Sequence, residues 1–311
     1  SLWIAHGWQR RPAMASPAGG RRLAEAPVEA GRTVRRRLRS KQPPLPLPPT
    51  SGGAVPVAVG PAPVPALASG AAMGPPPLPL RALVINLERR TDRWATSQRR
   101  LAGLQGPGGC LRVERLAASD GTQLGAVPEE TVLKRWMTDR NAKYDGRAGY
   151  RPGVALEMTA GERGCAMSHV RAWRMVAPCS DGAPVLVLED DAVLSKRFAA
   201  RLPAVLAAVP ASTDVLYLGY IKGAPWRCKV APGLFEAEYL WTTVAYLLWP
   251  RGAQKLLAAL PVDEPVDNFM AWLMATRRLR ALAVVPPLAD QEQEWDCGSD
   301  VPHSDDVVLS L

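Results

Sequence analysis

The richest chemistry in this 311-residue chain lies in PVLVLEDDAVL, where an apolar run ends in Glu189, Asp190 and Asp191. Three adjacent carboxylates repel one another, and desolvating them without a cation costs several kcal/mol per ion. A divalent metal removes that cost, and an all-oxygen ligand set suits Mg²⁺ or Mn²⁺ completed by water and phosphate oxygens. Strand alternation would send Glu189 and Asp191 to one face and Asp190 to the other. A solvated turn or a helix N-cap suits the same residues, so spacing alone leaves both readings open. Upstream, TAGERGCAMSHVRAW carries Glu162, Cys165 and His169 at spacings of three and four, which puts them on one helical face. His169 is either a satisfied core group or one that orients a carboxylate or meets a phosphate. Cys165 and His169 supply two of the four ligands a zinc site needs, with no second pair evident.

The elements that must position these groups can be read from local pattern. Leu83 to Ile85 form a continuous apolar run, as in a strand buried on both faces, and Thr91 is placed to cap the helix that follows. A strand is expected over Leu111 to Leu116, ending in the turn residues Ser119, Asp120 and Gly121. A loose region through Asn141, Gly146, Gly149 and Gly153 precedes a helix starting at Thr159. After the acidic strand end come a helix over Ser195 to Val209, a strand over Asp214 to Leu218, helices near Arg251 to Leu260 and Val266 to Arg277, and a strand over Ala281 to Val285. This alternation predicts an α/β fold with a mainly parallel central sheet. A buried strand that delivers carboxylates to a sheet edge puts them where α/β proteins bind ligands.

Several segments together are specific. VINLERRTDRW, TAGERGCAMSHVRAW, VLVLEDDAVL, AYLLWPRGAQKLL, PVDNF and the late Gln291 with Ser299 and Asp300 resemble glycosyltransferase family 25, in order, over about Arg81 to Val301. That family includes bacterial lipooligosaccharide galactosyltransferases and animal collagen hydroxylysine galactosyltransferases. The resemblance implies a GT-A-like nucleotide-sugar transferase fold and inverting transfer of a hexose, most often galactose from UDP-galactose, to a glycan or glycoprotein acceptor. It sets Glu189-Asp190-Asp191 at the Asp-x-Asp metal motif, with Glu in place of the first Asp. Asp191 is then expected to bind Mn²⁺ (or Mg²⁺) directly, Glu189 to assist or hold the ribose, and Asp190 to brace against the fold. A base must take the acceptor proton. Asp267, in the PVD block, is the first candidate and Glu162 the second, although Asp267 would equally serve as a helix N-cap. Asn86, Arg89, Arg90 and Arg93 follow the first strand, where guanidinium forks suit a diphosphate. Asp120 is a candidate for uridine, and His169 for the donor. Trp226, Tyr239, Trp241 and Tyr246 are sugar platforms or core residues.

Charge is unevenly distributed. Of the net +9, residues 1–80 carry +8, from ten basic and two acidic side chains, which leaves 28 basic and 27 acidic groups beyond. Sixteen of the 31 prolines also precede residue 81. Residues 1–80 therefore read as a disordered Pro/Ala/Arg-rich arm or leader, with residues 81–311 as the transferase domain. The Arg32 to Lys41 cluster lacks interleaved aromatics and reads as a solvated charge run with some nonspecific affinity rather than a specific nucleic-acid site. No apolar run approaches the ~20 residues of a membrane-spanning helix. The five cysteines form no CxxC pair and are odd in number, which argues for free thiols over a disulfide framework. The family occurs in bacterial cytoplasm and in the eukaryotic secretory lumen, so the compartment stays open. A catalytically silent transferase-like module that holds a glycan or protein is the competing reading.

Overall fold

A computed structural model describes residues 79–146 and 150–292. The proposed arm up to residue 78, and Cys297, Ser299 and Asp300, lie outside the described residues. The first strand, β1 (Leu80–Asn86), is followed by helix α1 (Thr91–Leu101) and β2 (Leu111–Ala117). Then come β3 (Arg135–Met137), α2 (Asp139–Asp145), β4 (Ala155–Glu157), α3 (Ala160–Val176), β5 (Val185–Glu189), β6 (Ala192–Leu194) and α4 (Phe198–Ala208). The remainder is β7 (Val215–Lys222), β8 (Cys228–Ala231), β9 (Leu234–Glu236), β10 (Leu240–Leu248), α5 (Pro250–Ala258), α6 (Val266–Ala275), β11 (Ala281–Val284) and β12 (Ala289–Gln291).

Eight strands form one sheet in the order β2-β1-β5-β10-β7-β11-β9-β8. Alternate side chains of its strands enter two separate cores. Leu83, Ile85, Val185, Val187, Tyr217 and Tyr246 pack under α3, α5 and α6. On the opposite face Leu80, Ala82, Val84, Leu186, Leu188 and Leu247 pack under Leu101 of α1 and Phe198, Leu202 and Leu206 of α4. Helices on both faces cover the central strands, which explains the uninterrupted burial of β5 and β10.

The α/β class is as expected, but the sheet is mixed rather than mainly parallel in its pairing. β1 pairs β2 and β5 in parallel and β11 pairs β7 in parallel, whereas β10 runs antiparallel to both β5 and β7, and β9 runs antiparallel to β8 and β11. Nothing in AYLLWPRGAQKLL marks direction, because a strand buried on both faces has the same apolar look either way round. The region through Asn141 is also more regular than its glycines suggest. Helix α2 occupies it, and β3 and β4 pair antiparallel on either side. Thr91 does not cap α1: it is the first helical residue, Arg90 precedes it, and no side-chain cap is made.

Candidate functional site

The end of β5 meets three neighbours. Thr243 of β10 donates its hydroxyl to Glu189 Oε1 at 2.7 Å, and His169 Nε2 of α3 lies 3.4 Å from the same oxygen. Asp190 and Asp191, just past the strand, turn toward α1, where Arg93 Nη2 contacts Asp190 Oδ1 at 2.8 Å and Asp191 Oδ2 at 3.2 Å. Asn86 Nδ2 donates to Asp190 Oδ2 at 2.6 Å, and Gln291 Nε2 donates to Asp191 Oδ2 at 2.9 Å. The strict alternation expected along the strand stops at Glu189, because a turn begins at Asp190. Asp190 and Asp191 therefore share one cation, while Glu189 engages His169 and Thr243.

Local sequence explains how these groups are held. The N-terminus of α3 is fixed by a capping box: Thr159 Oγ1 accepts from the Glu162 N–H, and Glu162 Oε2 accepts from the Thr159 N–H. Gly164 lets this helix press against the β2 loop, since a Cβ there would lie 2.7 Å from Gly121 N and Ser119 O. Ser168 Oγ then receives the Ser119 N–H at 2.8 Å. From α1, Ser97 donates to the Asp190 carbonyl at 2.7 Å, so Arg93 and Ser97 seize the same turn by side chain and backbone.

The start of β10 carries a distortion. Its register against β7 shifts between Trp241 and Ala245, and Thr242 has φ 68°. A β-branched residue in the left-handed region costs on the order of 1–3 kcal/mol, and such strain gathers at functional sites. Here the bulge aims two consecutive residues at two carboxylates. Thr243 reaches Glu189, while the Thr242 N–H donates to Asp267 Oδ2 at 3.3 Å.

A cleft opens at the C-terminal ends of β1, β2 and β5, beside the first turns of α3. Its lining includes Asn86, Arg89, Arg93, Asp120, Gly161 and Cys165, with Glu189 and Asp190 on one wall. Asn86, Arg89, Arg93, Asp120, Glu189 and Asp190 are thus brought together as the sequence reading expected. Their roles in the cleft are specific. Asn86 is a bracket, since its Oδ1 accepts from Arg115 Nε at 3.0 Å while its amide holds Asp190. Asp120 accepts from Arg89 Nε at 3.0 Å and from Thr122, whose hydroxyl and N–H hold its carboxylate below the usual range together with Arg89. Burial pushes Asp190 up, against the pull of Arg93 and Asn86. Burial also opposes ionisation of Glu189, but His169 and the Thr243 hydroxyl outweigh it and hold Glu189 below the usual carboxylate range.

Other expected site residues lie elsewhere. Asp191 is 1 % exposed and does not line the cleft, so it stands behind Arg93 and Gln291 rather than at the opening expected of a direct metal ligand. Glu162 is fully buried and its carboxylate belongs to the α3 cap. Asp267 is fully buried in the first turn of α6, where Pro265 takes the N-cap position and Asp267 Oδ1 accepts the Asn268 N–H. His169 is fully buried, and its Nδ1 shares a 2.8 Å hydrogen bond with the Tyr246 hydroxyl, which also accepts from Trp173 Nε1 at 3.1 Å. Tyr239, Trp241 and Tyr246 are core residues; Trp226 alone of the four is partly exposed, between Tyr220 and Phe235. The sequence reading missed Arg115, Thr242 and Thr243. Thr243 carries no signal of its own, because its role follows from where the reversed β10 begins.

Metal-ligating groups converge at one further point. Cys165 Sγ, a ring nitrogen of His169 and a carboxylate oxygen of Glu189 all lie within 4.8 Å of one another. The third ligand that the Cys165–His169 pair lacked in sequence is supplied by β5. Cys110, Cys165, Cys179 and Cys228 are free thiols.

The family described as glycosyltransferase family 25 (LPS biosynthesis protein) matches residues 80–232. Residues 80–232 form a glycosyltransferase family 25 domain. Similar proteins include a glycosyltransferase 25 family member of Drosophila pseudoobscura pseudoobscura, 35% identical over 196 residues, or 60% of this chain and 29% of that protein. Procollagen galactosyltransferase 1 of Danio rerio is 31% identical over 196 residues, 60% of this chain and 30% of its own length. Inactive glycosyltransferase 25 family member 3 of Homo sapiens is 36% identical over 196 residues, again 60% and 30%. The chain thus spans about three-tenths of the length of these relatives. The family 25 match covers every cleft-lining residue and ends before Thr242, Thr243 and Asp267. Among the described residues no helix is long and apolar enough to cross a membrane.

Proposed function

We propose that the cleft binds a nucleotide-sugar donor and that the protein is an inverting hexosyltransferase of GT-A type, moving galactose from UDP-galactose to a hydroxyl of a glycan or glycoprotein. The observation that carries this reading is the union of Arg89, Arg93, Asp120, Glu189 and Asp190 in one cleft at the C-terminal ends of parallel strands. Procollagen galactosyltransferases among the relatives support the donor and acceptor classes.

Glu189 and Asp190 are oxygen donors on the cleft wall, the chemistry of a Mg²⁺ or Mn²⁺ site, and they are the residues that would hold such an ion. An ion held there would supply positive charge against the donor diphosphate. Arg89 is half-exposed and positioned for the diphosphate, and Asp120, already an acceptor of two groups, is placed to order the neighbouring loop against a base or ribose. Asp191 positions Arg93. Of the two candidate bases, Asp267 fits better than Glu162, whose carboxylate is committed to the α3 cap. Two backbone N–H groups hold the Asp267 carboxylate at the start of α6.

A second reading has its own support. Arg93 bridges Asp190 and Asp191 without any added cation, and relatives include members named inactive. In that case the cleft holds a ligand without turnover. A hydrolysis and thermal-shift screen across UDP-sugars with Mn²⁺, repeated with chelator and on Asp190→Ala, separates the two. Hydrolysis of one UDP-hexose, lost with chelator and in the variant, is the expected result. Binding without hydrolysis, with or without glycan acceptors, favours the silent module; no thermal shift with any UDP-sugar overturns the donor site itself.

A further inference from the structure

We propose that Cys165, His169 and Glu189 bind a zinc ion, with the fourth coordination position open to the cleft. Ligand atoms of all three groups lie within 4.8 Å of one another. Around a tetrahedral zinc, with Zn–S near 2.3 Å and Zn–N near 2.0 Å, ligand atoms stand about 3.3–3.8 Å apart, so closure by about 1 Å of side-chain rotation suffices. The scaffold is rigid: two ligands share one face of α3 at i, i+4, and the third ends a fully buried central strand.

The imidazole supplies the deciding detail. His169 is fully buried, and its Nε2 has no hydrogen-bond partner although Glu189 Oε1 is 3.4 Å away. With zinc bound, Nδ1–H donates to the Tyr246 oxygen and the Nε2 lone pair faces the metal, the usual arrangement of a ligating histidine held by an outer partner. Thr243 plays the same part for Glu189. A thiolate, a carboxylate and a dication sum to zero charge, which suits burial. A sulfur, nitrogen and oxygen set is thiophilic in character, so it selects zinc over Mn²⁺ or Mg²⁺. Cys165 and Glu189 both line the cleft, which gives the open position its direction. This site is separate in kind from the all-oxygen pair proposed for the donor cation, but both use Glu189, so zinc and a donor-bound hard cation compete for it.

The test uses the full chain, stripped of metal and titrated with Co²⁺ in the absence of nucleotide sugar and Mn²⁺. One equivalent of cobalt, displaced by zinc, should give tetrahedral visible bands and a thiolate-to-cobalt charge-transfer band. Cys165→Ser should abolish the charge-transfer band, whereas Cys228→Ser on β8 should keep it. Tyr246→Phe should keep the band but weaken cobalt binding about tenfold, as loss of an outer partner does. Zinc should also protect Cys165 of the unmodified chain from alkylation, a readout that survives misfolding of any variant. No charge-transfer band, a band unchanged in Cys165→Ser, or no protection of Cys165 overturns the proposal. Because no donor is present, failure here leaves the transferase reading standing, and donor-binding failure leaves the zinc result standing.

Discussion

The Thr243 hydroxyl donates to Glu189 Oε1 at 2.7 Å, across the junction of two strands that run in opposite directions. Residues at the beginning of β10 thereby act at the same edge as the end of β5. Thr243→Val keeps the shape of the side chain and removes this donor to a buried carboxylate. The expected loss is about 1–3 kcal/mol of folding stability, read by urea denaturation, together with weaker Co²⁺ or Mn²⁺ binding by calorimetry. Unchanged stability and unchanged metal binding would show the bond to be dispensable.

Arg93 is the cation between Asp190 and Asp191, and its side chain is only 7% exposed. Arg93→Met leaves two buried carboxylates without it, and roughly 3 kcal/mol or more of stability should go. Part of that loss should return when Mg²⁺ is added, and the return should exceed the effect of Mg²⁺ on the unmodified chain. Thermal melts at matched ionic strength measure both.

Glu264, beside Asp267, is pushed up to about 7 by burial, with the like charges of Asp263 and Asp267 adding to it and Arg140 pulling the other way. Between the ordinary value of 4.5 and about 7 the native state holds a proton that the unfolded chain has released. Stability therefore falls as pH rises through that window, by no more than roughly 3 kcal/mol from this group. Glu264→Gln should flatten that stretch of a stability-against-pH curve measured by urea denaturation; an unaltered slope would rule the group out.

Gly164 lies where α3 meets the β2 loop, and a Cβ would come within 2.7 Å of backbone on that loop. Gly164→Ala should cost about 1–3 kcal/mol as an overpacking change. It should also displace Ser119 and Asp120 and weaken donor binding, measured by calorimetry with UDP-sugars. The two effects should appear together, whereas a change in stability alone would separate the loop from the donor site.

Local pattern was enough to find β1, β2, α3 and β5, because apolar runs and helical spacing act over a few residues. Asn86, Arg89, Arg93, Asp120, Glu189 and Asp190, each singled out by residue type and position, line one opening. What escaped it depends on long-range pairing. The direction of β10 has no local signature, and without it Thr242 and Thr243 cannot be connected to Asp267 and Glu189. The alternation expected for Asp190 and Asp191 fails for a related reason: the strand stops at Glu189, so period two no longer applies to its neighbours. Arg115 was overlooked because it reads as an ordinary strand residue until β2 is laid beside β1, where it meets Asn86.

The guanidinium of Arg93 turns the acidic turn into an exchanger rather than a vacancy. On the proposed reading, a divalent ion that replaced Arg93 at Asp190 would change the local charge by one unit instead of two. Arg93 belongs to α1, which also grips the turn through Ser97. The cleft wall at Asp190 is thus fastened to α1 by a backbone and a side-chain contact, so the packing of that helix fixes where the carboxylate stands.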